Sequence, residues 1–312
     1  QELEEEINKD RETHGKKPLK KDDDNTPPPP EIKNIKESTT DPESGLFHKG
    51  EHEKCFAYTA NTICDRNNFI LGFSVGAGNI HDSRMFDDLY AETIKRFTEI
   101  EVIAVDAGYK TPWIMKQIID SNRIPAVPYK RPMTKVGFFK KYEYVYDEYY
   151  DCMICPANKV LKYSTTNRDG YREFKSDPQQ CKGCEFLANC THSKAQQKVV
   201  TRHVWESYME LAEEYRHTPV YRDVYQMRGQ TIERVFADAK EKHAMRYTQL
   251  RGLQKLKMQV TLTFACMNLK KLATWKRRKG LLPTAIQYLY CKFASFLEKI
   301  TYDKQKATLR TA

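Results

Sequence analysis

No apolar run in this chain reaches the length of a membrane span, and its first residues are charged rather than signal-like. Both absences point to a soluble, intracellular protein. No internal repeat is recognisable, and no helix-turn-helix. Acidic charge is in short supply: Lys plus Arg outnumber Asp plus Glu by 52 to 42, a formal +10. Part of the acidic complement is used up in the first 24 residues, so the body is more basic than the total. Such a body points to nucleic acid as partner, although a basic surface also serves solubility alone. The nine cysteines make an odd number. Five are tightly spaced, while Cys55, Cys64, Cys266 and Cys291 are scattered through apolar segments. That distribution favours metal ligation over a disulfide framework.

At 312 residues the chain can bury a sizeable core in one large or two small domains. In Gln230–Lys240, Ile232, Val235, Phe236 and Ala239 recur at helical spacing, so one face packs inward while Glu233 and Lys240 share a neighbouring face. Taken alone, this reads first as a solvated helix with an ordinary charge pair. Glu101-Val-Ile-Ala-Val-Asp106-Ala-Gly-Tyr109 is an apolar run too brief for a helix. It predicts a buried strand whose last residue delivers a carboxylate to the sheet edge, where open α/β sheets place their chemistry. Asp106 is therefore a candidate metal ligand.

These two stretches resemble the DDE transposases of bacterial insertion sequences, in which an Ala-Asp-Xaa-Gly-Tyr strand supplies the second Asp and an Ile-Glu-Arg-Xaa-Phe helix the Glu. The match is to the group with a cysteine-rich insertion between them, the insertion sequence eleven-eighty-two family, from about Ser38 to about Lys279. The resemblance implies metal-dependent DNA cleavage and strand transfer with two Mg²⁺ (or Mn²⁺) ions. Asp106 would bridge the ions and Glu233 would hold one of them. Lys240 would neutralise a phosphate, and Tyr225 and Arg228 stand for the upstream Tyr and Arg of the signature. Carboxylates are the hard ligands Mg²⁺ prefers, and two ions suit in-line displacement at phosphorus. The partners implied are the element ends and target DNA, with multimers on paired ends, in the bacterial cytoplasm at the nucleoid.

The family's first Asp sits in an Asp-Gly-Thr-Lys strand, and no such strand occurs in these residues. The chain is thus expected to be an N-terminally truncated catalytic region. Asp41, in Thr39-Thr-Asp-Pro-Glu-Ser44, is the nearest substitute, ahead of Asp65 and Asp82. Each has an ordinary reading: a turn residue before Pro, a hairpin turn and a helix N-cap.

Cys152-Xaa-Xaa-Cys155 and Cys181-Xaa-Xaa-Cys184 lie 25 residues apart, followed by Cys190. Two such knuckles form a zinc-ribbon pattern, because each presents two thiolates to one tetrahedral ion. Four ligands close a structural Zn²⁺ site, so one thiol is spare; Cys190 is the choice, with displacement of another ligand by Cys190 as the alternative and His192 nearby. Tyr129-Lys130-Arg131 with Lys135, Lys140 and Lys141 forms a basic, aromatic-interleaved stretch suited to DNA backbone contacts, or to solvent. Beyond Glu233, Arg246 and its neighbours keep the following turns basic.

The expected organisation is a charged, exposed helix and Pro-rich linker (1–37), the first part of the catalytic core (38–130), a cysteine-rich insertion (131–200), the core's completion with the Glu helix (201–280) and a C-terminal helix (281–312). The fold class is α/β: a ribonuclease-H-like mixed sheet with flanking helices, as the resemblance implies, interrupted by a small zinc-ribbon-like β insertion. Two other functions fit parts of the pattern. A non-catalytic zinc-ribbon DNA-binding remnant fits the charge and the cysteines, and a ribonuclease-H-like nuclease fits the carboxylates.

Overall fold

The computed structural model describes residues 1–19, 36–49 and 53–280, together with positions 288, 292 and 293. Most of the Pro-rich linker and of the final helix expected over 283–297 lies outside the described residues. In chain order the elements are α1 (Glu2–Thr13), β1 (Gly45–Lys49), β2 (Glu53–Cys64), β3 (Ile70–Ala77), α2 (Phe86–Arg96), β4 (Val102–Ala104), α3 (Pro112–Asp120), β5 (Ile124–Ala126), β6 (Val145–Asp147), β7 (Cys152–Ile154), β8 (Val160–Thr166) and β9 (Tyr171–Lys175). Two one-turn helices, α4 (Pro178–Cys181) and α5 (Leu187–Cys190), lead to β10 (Val199–His203), α6 (Glu206–Tyr215), α7 (Pro219–Met227), α8 (Ile232–Lys242) and α9 (Leu253–Arg278). No helix among the described residues is long and apolar enough to cross a membrane.

The chain divides into two compact units, one comprising residues 1–36 and 81–228, the other 37–80 and 229–312. In the first, β4 and β5 pair in parallel, with α3 as the crossover between them. Thr111 starts α3 by accepting the N–H of Ile114 at 3.3 Å, and Pro112 fills a first-turn position whose N–H would have no partner. Phe86, Tyr90, Val105, Ile114, Met115, Ile118, Val127 and Ala212 form the core around this pair. A second sheet in the same unit, antiparallel in the order β10-β9-β8-β7-β6, buries Tyr144, Met153, Leu161, Phe174 and Val200.

Helix α1 departs from expectation. Its charge suggests an exposed tether, yet Ile7 is 1 % and Asp10 5 % exposed. Asp10 pairs with Arg172 at 2.6 Å and accepts from the Thr166 hydroxyl, while Arg11 donates to the Thr165 hydroxyl and the Thr166 carbonyl at 2.8 and 2.7 Å. His14 stacks on Tyr163 at 3.6 Å between ring centroids and bonds Asp151. Asp10 and Arg11 are therefore spent on β8 and β9, while Glu4, Glu5, Lys9 and Glu12 face solvent.

In the second unit, β1, β2 and β3 form an antiparallel sheet, with Gly45 opposite Ala57 and Tyr58 opposite Ala77. Asp65 makes the β2–β3 turn, its carboxylate accepting from the N–H of Asn67 and Phe69 at 2.9 and 2.7 Å. Val235 and Ala239 of α8 and Leu256, Val260, Phe264 and Met267 of α9 share a core with Ile70. Asn268 fixes α9 to β3, accepting from the Ile70 N–H and donating to the Ile70 carbonyl, both at 2.9 Å. The fold is thus mixed α/β. The described strands divide among three separate sheets rather than one mixed sheet, because residue pattern marks strands without naming their pairing partners.

Candidate functional site

Asp106 stands just past the carboxyl end of β4. The pairing extends through Val105, whose N–H meets the Ala126 carbonyl at 3.1 Å, so the carboxylate projects where the chain leaves the parallel pair. It caps a single turn over Ala107–Tyr109, accepting the Gly108 N–H at 2.8 Å. A Cβ at Gly108 would lie 3.1 Å from that carboxylate oxygen, so glycine permits the close approach. The Asp106 side chain is 46 % exposed. Its other oxygen lies 4.0 Å from the Arg228 guanidinium, at the end of α7. Arg228 also donates to the Tyr225 hydroxyl at 3.3 Å, and Tyr225 stacks on Tyr221. The two expected signature residues therefore gather beside Asp106. Burial, with Asp82 and Asp106 adding, holds the Tyr109 hydroxyl well above its ordinary pKa, so it stays a neutral donor. Asp82 lies in the turn Asp82–Met85, which packs against the Asp106 turn. That turn is capped by His81, not Asp82: the His81 ring accepts the Ser83 N–H at 3.2 Å. An imidazole nitrogen does what the expected carboxylate would do, one residue earlier.

Glu233 occupies the first turn of α8, where the helix N-terminus favours a negative charge. Buried Val235 and Ala239 aim one face of α8 inward, and both Glu233 and Lys240 are exposed. Burial, with Asp65 and Glu233 adding and Lys271 opposing, raises the Cys64 thiol to about 11. Arg246 follows α8 and pairs with Glu241. Lys130 and Arg131 are exposed. Arg228 and Glu233 do not share a helix, because a turn over Arg228–Gln230 separates α7 from α8.

Asp41 is in a different setting. Both its carboxylate oxygens accept from the Tyr58 hydroxyl at 2.9 Å and from the Gly252 N–H at 3.2 and 3.3 Å. Glu43 accepts from the Leu253 N–H. Two acids from the chain before β1 thus cap the first turn of α9. Sequence spacing could not signal this, since the partners lie 211 and 210 residues apart.

Of the five closely spaced cysteines, Cys155, Cys181, Cys184 and Cys190 line one cavity of about 20 Å³ with Phe139 and Leu187. Cys152 is 8 % exposed and is not among the residues lining it. Residues three apart on a strand face opposite ways, so the Cys-Xaa-Xaa-Cys spacing that makes a knuckle in a loop separates the two thiols when the first lies in β7. Among the described residues, no three His, Cys, Asp or Glu side chains stand close enough to hold a metal ion. A carboxylate such as that of Asp106 is the donor a hard cation takes, and the thiols around the cavity are those a soft one takes.

No curated protein and no solved structure matches the chain. Residues 154–273, from the end of β7 into α9 and including Glu233 but neither Asp41 nor Asp106, match the family model described as a transposase DDE domain, and the match supports a DDE transposase.

Proposed function

We propose that the chain is the catalytic region of a bacterial insertion-sequence transposase of the eleven-eighty-two type, built on a ribonuclease-H-like core, which cleaves element ends and joins them to target DNA. The observation that carries this reading is the transposase DDE match over residues 154–273. The setting of Asp106 at the carboxyl end of a parallel strand, with Arg228 and Tyr225 beside it, supports it further.

Asp106 and Glu233 are the carboxylates assigned to the divalent ions, Mg²⁺ or Mn²⁺. Such ions, when bound, stabilise the attacking and leaving oxygens of an in-line displacement at phosphorus. Arg228, held by Tyr225 and Asp106, is assigned to a phosphate oxygen; its planar fork suits that recognition. Lys240, Arg246, Lys130 and Arg131 are assigned to the DNA backbone, where exposed cations neutralise phosphates. Asp41, whose oxygens are already committed, is assigned to capping α9. The cysteine-rich insertion is assigned a structural Zn²⁺ with a folding role. Action on paired DNA ends implies a homo-oligomer in the cytoplasm at the nucleoid.

The test is Glu233→Gln and Asp106→Asn in the full-length protein, assayed with DNA carrying the element ends and Mg²⁺. Cleavage should be abolished while DNA binding stays near normal. Cleavage retained by either variant would remove that carboxylate from the reaction.

A further inference from the structure

The cysteines that share a cavity are not the four that the two knuckles suggest. Cys155 directly follows β7, and the tight turn after it places the Lys159 N–H 3.3 Å from its sulfur. Asn158 completes that turn in the left-handed region at φ 54°. Cys181 and Cys184 bracket a second turn, closed by the Cys184 N–H on the Cys181 carbonyl at 3.1 Å, with Gly183 at φ 81°. Only a residue without a Cβ adopts that conformation at no cost. The short helix α5 then brings Cys190 back to the same cavity.

Strand alternation explains which thiol is left out. Alternation along β7 and into the residue after it puts Met153 and Cys155 on one face, and Met153 is part of the core cluster against which Cys155 and Cys190 pack. Cys152 belongs to the other face, opposite Asp147 of β6 in register. It is buried, but beside a carboxylate-bearing strand rather than in the cavity.

The geometry points to a tetrathiolate Zn²⁺ site formed by Cys155, Cys181, Cys184 and Cys190, with Cys152 outside it. This deepens the reading of the insertion as zinc-holding and rests on it. At about 20 Å³ the cavity has room for one ion. Three of the four sulfurs hold protein partners: Cys155 accepts from the Lys159 N–H at 3.3 Å, Cys181 donates to the Ser176 hydroxyl at 3.2 Å, and Cys190 meets the Tyr144 hydroxyl at 3.2 Å. A cysteine has one side-chain torsion, and a change of staggered well re-aims the sulfur without moving backbone. On binding, each thiol loses its proton to water and the sulfur lone pair takes the metal. Tyr144 and the Lys159 N–H then remain as donors to thiolate sulfurs, the kind of surrounding hydrogen bond that orients metal ligands. Lys198, which donates to the Cys190 carbonyl at 3.0 Å, holds the last ligand's backbone.

The experiment measures zinc by elemental analysis in the full-length protein, in Cys152→Ser and in Cys190→Ser. The wild type and C152S should each carry about one Zn²⁺ per chain, and C190S should lose most of it. Because zinc loss in C190S alone does not separate a lost ligand from a lost fold, Co²⁺ is exchanged into the wild type and C152S, and the thiolate-to-metal charge-transfer band is compared. Equal intensity per metal, typical of four sulfur ligands, is expected in both. Zinc lost in C152S but kept in C190S, a weaker charge-transfer band in C152S, or a wild type purified with five free thiols and no zinc would each overturn the assignment. Metal content is read without DNA, so failure here leaves the transposase reading standing, and inactive Glu233 or Asp106 variants leave the zinc site untouched.

Discussion

Asp41→Ala separates a structural carboxylate from a catalytic one. The substitution removes an acceptor held by the Tyr58 hydroxyl at 2.9 Å and by the Gly252 N–H at 3.2 and 3.3 Å. A hydrogen bond to a charged group contributes about 1.5–3 kcal/mol, and the lower end applies because Asp41 and Tyr58 are only half-buried. Losing an acceptor at a helix start costs about 1 kcal/mol more, with Glu43 still serving Leu253. The expected loss is about 2–3 kcal/mol in urea unfolding, and Asp41→Asn, which keeps one oxygen, should lose about half of that. A second readout is Tyr58. Burial, then the hydrogen bond and charge of Asp41, raise its hydroxyl from the ordinary 10.0 to about 12. The neutral phenol is favoured in the folded state, so its contribution is complete below pH 10 and is lost as pH rises through about 12. In D41A the midpoint of tyrosinate absorbance should move down toward the ordinary value. Wild-type stability and an unmoved Tyr58 titration, together with lost Mg²⁺-dependent cleavage, would refute the capping role and return Asp41 to the catalytic set.

What was legible in the sequence was local. The run Val102–Val105 closed by Asp106 and Gly108 carries its meaning in consecutive residues, and the strand, its exit and the carboxylate at its end all follow. So do the face of α8 defined by Val235 and Ala239 and the turn at Asp65. What was not legible depends on partners far along the chain. Asp10 and Arg11 look like solvated charges until Arg172 and Thr165 are beside them, and Asp41 looks like a turn residue until Gly252 arrives. The cysteine pattern meets a different limit: Cys155, Cys181, Cys184 and Cys190 line one cavity and Cys152 does not. Cys-Xaa-Xaa-Cys means two thiols on one ion only if the backbone turns between them, as at Gly183, whereas β7 runs straight through Cys152. The competing period of the strand decides, and spacing alone does not reveal it.

Two further perturbations test how α1 is held. Asp10→Ala removes the acceptor of the Thr166 hydroxyl and one of two carboxylates beside the Arg172 guanidinium, which Asp151 still faces at 3.7 Å, and losing a hydrogen bond to a charged group costs about 1.5–3 kcal/mol. Urea unfolding should show that loss and limited proteolysis should release α1; a loss under about 1 kcal/mol would mean the Asp10–Arg172 pair does not hold the helix. The acid limb of stability tests the same contact through Asp151. Burial pushes its carboxyl up, but hydrogen bonds from the Tyr146 hydroxyl at 2.6 Å and from His14, with the Arg172 and His14 charges, outweigh burial and leave it below the ordinary 3.8. The folded state therefore favours the carboxylate, so this contribution is complete above the ordinary value and is lost as pH falls through the depressed one. Asp151→Asn cannot titrate there. The wild type should lose stability more steeply than D151N below about pH 4, and α1 should become protease-sensitive over the same range. Acid limbs of equal slope would show that the His14–Asp151 contact contributes nothing to holding the helix against the sheet.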